Sequence, residues 1–398
     1  MSSYDQVGGG ITEKTQTRSQ RSKWIIIGSV IGVLGLIAIG VGVGVGVSKN
    51  NSKNSSSTSS DATNGATSNS SSNGDPVQTN PNDPSTFEKD PNLHQSFYAL
   101  AYTPAGSQLP NCTNSLDDVI KDIQVMSQLT KTIRLYGADC NQSALVLEAI
   151  KQTKVDMQVY LANYPTPDDS TAYTRQRDEI KAAIQTYGTD HIAGVTVGNE
   201  FMLNYLNDNQ ATDPNSAVGD TGAAILIADI NDTRSTLSEM NLPKTLPVGN
   251  SDAGSYFNTK VLEAVDYGMA NVHPWFANVT VQTAAAWTAE FFEETNVQPA
   301  AQLSNKPKMY IAETGWPTFS SDAGNANNGA SDASEANLQV FLDTFVCQAN
   351  QNGTGYFFFE FKDEPWKDAQ FGGVEGWWGL FHSNRTLKRI QLPNCVLN

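Results

Sequence analysis

A (β/α)8 barrel is the fold class this sequence predicts for most of its length, and three observations predict it. Eight short apolar stretches with strand character recur between residues 97 and 361. Amphipathic stretches of helical length separate them, the alternation that builds a parallel sheet covered by helices. Two of the eight stretches end in a glutamate, Glu200 and Glu313. These lie 113 residues apart, the span of about three βα units in a fold whose strand ends open on one face.

In chain order the expected strands are residues 97–104, 132–137, 156–162, 192–197, 246–249, 268–273, 308–312 and 355–361. The clearest helical stretches are residues 115–129, 175–187, 222–240 and 334–348. Two units are irregular. The fourth carries a polar insertion around residues 207–220, and the fifth leaves room for about two helical turns after Asn258. An open doubly wound sheet is the main alternative, but no glycine-rich phosphate loop follows any of the strands.

The barrel is expected to occupy residues 91–398, behind three segments of different texture. Residues 1–23 are polar and carry Lys14, Arg18, Arg21 and Lys23. Residues 24–47 form an uninterrupted uncharged run, long enough to cross a hydrocarbon core as a helix of roughly 20 residues. Only Lys49 and Lys53 follow closely, so the positive-inside rule puts the N-terminal tail in the cytoplasm and everything after Val47 outside. A cleaved signal peptide is the competing reading; against it, the run exceeds the usual apolar region and no A-x-A site follows. Residues 48–90 are rich in Ser, Thr, Asn and Gly, a composition expected to form a stalk, either O-glycosylated or bare.

The 398 residues carry a net charge of −16, with a pI near 4.6. No basic stripe is available to neutralise phosphates, which argues against a nucleic-acid partner. Cys112, Cys140, Cys347 and Cys395 make an even count. Beyond the low-complexity region, N-x-[ST] sequons begin at Asn111, Asn141, Asn231, Asn278, Asn352 and Asn384. Together these imply an oxidising, secretory compartment. Four cysteines allow three pairings. Cys112 and Cys140 follow the first and second strands, on neighbouring loops of one face, and are expected to pair. Cys347 would then hold the C-terminal tail through Cys395. His94, His191, His273 and His382 are scattered without ligand spacing, and no metal or cofactor is expected.

A carboxylate at the end of a buried strand can face a bound sugar, and glycoside hydrolysis needs two of them. Glu313 is followed by Gly315 and Pro317, which force a turn, and by Trp316, whose indole could pack on the C–H face of a sugar. For either glutamate alone, a surface acid in a turn is the plain alternative.

Three motifs carry a family resemblance. Val197-Gly-Asn-Glu200, Ala312-Glu-Thr-Gly-Trp-Pro317 and the opening Ala101-Tyr-Thr-Pro104 are similar to those of glycoside hydrolase family 17, the β-1,3-glucanases, over residues 96–391. The anchored and stalked layout resembles fungal membrane-bound members that act in the cell wall. The resemblance implies a retaining enzyme that cuts β-1,3-glucan internally, with Glu200 as acid/base and Glu313 as nucleophile. It also implies a plasma-membrane protein whose domain faces the wall.

Other residues have two readings each. Asn199 is placed to bond a sugar 2-hydroxyl, or to cap the helix that follows. Arg134 lies inside a strand and requires a buried carboxylate, either Glu313 or a structural partner. Tyr98, Tyr102, Tyr136, His273, Trp275 and Trp316 lie at or near strand ends, as sugar platforms or as core. Glu360 and Lys362 end the eighth strand, to orient hydroxyls or Glu313, or to pair with each other. A transglycosylase using the same pair, or a non-catalytic wall-binding protein, are the alternatives to hydrolysis.

Overall fold

The computed structural model describes residues 74–397. The expected cytoplasmic tail, the 24–47 span and the stalk up to residue 73 lie outside the described residues. Among the described residues no helix is long and apolar enough to cross a membrane.

Eight strands close into a barrel in sequence order, every neighbouring pair parallel. They are β1 (Ala99–Ala101), β2 (Thr132–Arg134), β3 (Gln158–Asn163), β4 (Ile192–Asn199), β5 (Val248–Ala253), β6 (Tyr267–Asn271), β7 (Lys308–Thr314) and β8 (Tyr356–Phe358). The main helices are α1 (Leu116–Met126), α2 (Gln142–Thr153), α3 (Ala172–Tyr187), α4 (Phe201–Asp208), α5 (Ala217–Glu239), α6 (Thr259–Ala264), α7 (Val281–Phe292), α8 (Gln298–Ala301), α9 (Glu335–Gln351) and α10 (Pro365–Phe371). All eight expected strands are present. Ser115, Ser216 and Ser334 cap α1, α5 and α9 by accepting an N–H bond from the third residue on, which fixes where those helices leave the strand-end loops.

The strands read as apolar runs because both faces are covered. Inside the barrel, Tyr98, Tyr160, Tyr267, Tyr310 and Phe357 pack largely edge to face and form a floor. Tyr98 is therefore packing rather than a sugar platform. Outside, the sheet and helices enclose the larger core.

One strand differs from expectation. The fifth was expected over residues 246–249, yet β5 continues through Asn250, Ser251 and Asp252, all fully buried. Gly-Asn-Ser-Asp has the composition of a turn. Ladder bonding between β4 and β6 overrides that preference, and the polar side chains find partners at the strand ends.

Residues 74–90, assigned to the stalk on composition, lie along the domain. Asp75 pairs with Arg385 and Lys121, Pro84 O accepts from Gln124 Nε2 at 2.8 Å, and Asp90 N donates to Gln128 Oε1 at 2.8 Å. Polar contacts to α1, invisible in the composition, hold this strap. The disulfides join Cys112 to Cys140 and Cys347 to Cys395, as expected. All six sequon asparagines are exposed.

Candidate active site

Strand β4 ends at Asn199, and Glu200 then takes a left-handed backbone (φ 56°) as the chain turns into α4. Its carboxyl reaches β6, where Oε1 accepts a bond from Asn271 Nδ2 at 2.9 Å. Asn271 is also the register partner of Glu313 on β7, so one residue ties the two glutamates together. After Glu313 the chain turns at Gly315, where a Cβ would collide with the carbonyl oxygen of Phe359.

Glu313 is buried between two cationic or donating groups. His273 Nε2 lies 3.0 Å from its Oε2, and Arg134 Nη1 lies 3.7 Å from its Oε1. Arg134, 1% exposed, rises from β2; it donates to Ala312 O at 3.2 Å and to Asn199 Oδ1 at 2.9 Å, and lies 4.4 Å over the Tyr136 ring. Asn199 therefore spends its carbonyl on Arg134 and does not cap α4.

The two carboxyls are driven in opposite directions. Enclosure by protein, and then the negative charge of Glu313, push Glu200 up to about 7. Burial also opposes ionisation of Glu313, but the His273 hydrogen bond and the Arg134 charge outweigh it and hold that carboxyl below the ordinary value. Two titratable groups separated in this way are suited to act as an acid and an ionised partner. Tyr164, just past β3, is pushed up to about 12 by burial and by both glutamates, which places its phenol in the same cleft. Among the described residues no cluster of His, Cys, Asp or Glu could hold a metal ion.

A model of the BtgE/BtgC glycoside hydrolase domain matches residues 99–379, the whole of the barrel. The chain belongs to this family. Among its BtgE/BtgC relatives, the glucan endo-1,3-beta-glucosidase btgC of Emericella nidulans is 34% identical over 319 residues, covering 76% of this chain and 47% of that one. The "Probable glucan endo-1,3-beta-glucosidase btgC" of Aspergillus flavus is 35% identical over 320 residues, covering 77% and 45%. The chain thus spans just under half the length of these curated relatives. In fold, the BtgE/BtgC domain is similar to a glycoside hydrolase family 17 β-1,3-glucanosyltransferase from Rhizomucor miehei, with TM-score 0.59, 23% identity, and 74% and 96% coverage of the two chains. It is also similar to an endo-laminarinase from Formosa Hel1_33_131, with TM-score 0.58, 20% identity, and 73% and 84% coverage.

Of the site residues expected from sequence, this BtgE/BtgC cleft gathers Glu200, Glu313, Asn199, Arg134, Tyr136 and His273. His273 is a partner of Glu313 rather than a sugar platform. Trp275, Trp316, Tyr102 and Lys362 lie elsewhere. Trp316 is 0% exposed, donates from Nε1 to Asp332 O at 3.0 Å, and meets the buried Trp275 edge-on at 5.3 Å; both are core, because the turn at Gly315 folds Trp316 onto α9. Tyr102 and Lys362 are buried on Asp122, at 2.7 Å from the phenol and 2.6 Å from the ammonium. A carboxylate from α1 satisfies both, so neither is available to a sugar. Glu360 is enclosed and bonded to Lys367 Nζ at 2.8 Å.

Sequence reading missed Asn271, Tyr164, Glu364, Lys367 and Glu375. Lys367 pairs with Glu360 and with Glu364 at 2.9 Å and packs 4.6 Å from the Phe359 ring. Its charge helps lower Glu313. Burial raises the Glu375 carboxyl, while Lys367 and His273 oppose the rise, which places Glu375 at this edge of the cleft. The signal available was the charge-dense run from Glu360 to Lys367 directly after an apolar strand.

Proposed function

We propose that this chain is a retaining glycoside hydrolase that cleaves internal β-1,3-glucosidic bonds of cell-wall β-glucan. One observation carries the reading: Glu200 and Glu313 face one cleft, tied through Asn271, with Glu200 held protonated toward neutral pH and Glu313 held ionised. The names of the btgC relatives support the choice of bond. In this mechanism Glu313 attacks the anomeric carbon, the glycosidic C–O bond breaks, and Glu200 gives its proton to the departing oxygen. The new glycosyl ester removes the negative charge of Glu313. That charge had helped to raise Glu200, so the pKa of Glu200 now falls, and its carboxyl stays ionised and can take a proton from incoming water. Water then releases a product with its original configuration. The test is proton NMR of the first product from a β-1,3-glucan oligosaccharide: a β-anomer is expected, and an α-anomer would exclude Glu313 as nucleophile.

Transfer to a second sugar is the other reading, since a glucanosyltransferase shares this barrel. Products longer than a reduced laminari-oligosaccharide substrate would decide for transfer. We also place the chain in the plasma membrane as a single-pass type II protein with its domain toward the wall, on the uncharged run at residues 24–47 and the basic residues before it. Two disulfides and six exposed sequons support an extracytoplasmic domain. Release of the intact chain from membranes by alkaline carbonate would overturn this placement.

A further inference from the structure

Glu200 is held by a strand it does not belong to. Asn250 Nδ2 on β5 donates to Val197 O at 2.8 Å. The same amide crowds Gly198 (φ 92°), where a Cβ would come within 2.7 Å of it. Glu200 N donates to Ser251 O at 3.2 Å, and Ser251 Oγ to Asn199 Oδ1 at 3.4 Å. Helix α4 then begins without a side-chain cap from the residue before it, because the Glu200 carboxyl is turned to Asn271. The free N–H groups of its first turn go instead to Asp252. Met202 N donates to Oδ2 at 2.9 Å and Leu203 N to Oδ1 at 3.3 Å, and Ala253 N adds a bond to Oδ1 at 3.0 Å.

We propose that Asp252 is a positioning residue for Glu200: by capping α4 from β5 it frees the Glu200 carboxyl for proton transfer and fixes its place over the cleft. This rests on the acid/base role proposed above for Glu200. The usual arrangement gives the cap to the residue before the helix. Here that residue is the acid, and its side chain cannot serve both ends. Keeping a buried carboxyl beneath a second acid has a cost, since burial and then the charge of Glu200 push Asp252 up against the three N–H bonds it accepts. Tyr164 and Tyr256 are the other titratable groups that feel it.

The test uses the full chain with Asp252→Asn and, as a second variant with a shorter acceptor, Asp252→Ser. Each is measured on β-1,3-glucan and on a dinitrophenyl laminaribioside, whose leaving group needs no acid. Inactivation by 2-deoxy-2-fluoro-laminaribiosyl fluoride counts the sites in which Glu313 still attacks. The ratio of kcat/KM on the aryl glycoside to that on glucan should rise about 10- to 100-fold, the size of effect that a misplacement of about 1 Å produces. The trapping rate per folded site should stay the same. An unchanged ratio, or trapping that falls in step with glucan cleavage, overturns the proposal and leaves Asp252 as a fold residue. A wild-type chain that neither cleaves glucan nor is trapped overturns instead the activity on which it rests.

Discussion

The charge on Glu313 is maintained against its burial by His273 and Arg134, and that contest should be visible in the pH dependence. For kcat/KM, activity should fall as pH rises through about 7, where Glu200 loses the proton it must donate. On the acid side it should fall only below the ordinary glutamate range, where Glu313 becomes protonated. His273→Phe removes the bond that favours ionisation, so the acid limb should move to higher pH while the alkaline limb keeps its origin in Glu200. A pH–rate profile of both proteins checks this. The two glutamates should also fail differently. Glu313→Gln should abolish turnover on every substrate, whereas Glu200→Gln should lose about 10²–10⁴-fold on glucan and much less on an activated aryl glycoside. Kinetics on the two substrates read the difference. Trp316 supplies a third residue-level expectation. As a fully buried side chain, its truncation to Ala should cost about 3–5 kcal/mol in urea unfolding. A sugar platform would instead show normal stability and a raised KM.

At the scale of elements, sequence and structure agree where burial alone decides. Strand positions such as Ile133, Val159, Val195 and Ile311 are apolar and fully buried, and their spacing carried the barrel. The Glu200 and Glu313 motifs were legible because each ends an apolar strand with an acid. What escaped is chemistry between distant segments. Asp252 reads as a turn residue, and only the closing of β4 beside β5 makes it a cap. Trp316 reads as a platform beside the acid, and only the fold of the turn sends it inward. Lys362 stands two residues from Glu360 in sequence, yet one goes to Asp122 and the other to Lys367. The disulfides were legible in outline because loop neighbours follow from the barrel order. Cys347–Cys395 closes a separation of 48 residues and holds the tail that follows Leu392 against α9. Cys395→Ser should lower stability by about 2–4 kcal/mol, read from the denaturant midpoint, with cleavage of glucan little changed below the transition.

At the scale of the whole domain, Arg385 joins the first and last parts of the described residues. Its guanidinium binds Asp75 of the strap at 2.7 Å, with Asp118 and Asp122 of α1 each at 3.1 Å. Asp122 also holds Lys362 and Tyr102, so the first and last turns of the barrel share one buried centre. Arg385→Met would leave those carboxylates short of a cation, and a loss of about 3–5 kcal/mol is expected by thermal or urea unfolding. The strap itself runs from this centre down α1. It starts beside the first turn of that helix, at Asp75 and Asp118, and by Gln95 it has reached Ser127 at the helix's far end. Helices of a barrel start where the strands finish, so residue 74 lies at the outer rim on the same side of the barrel as Glu200 and Glu313, away from the tyrosine floor.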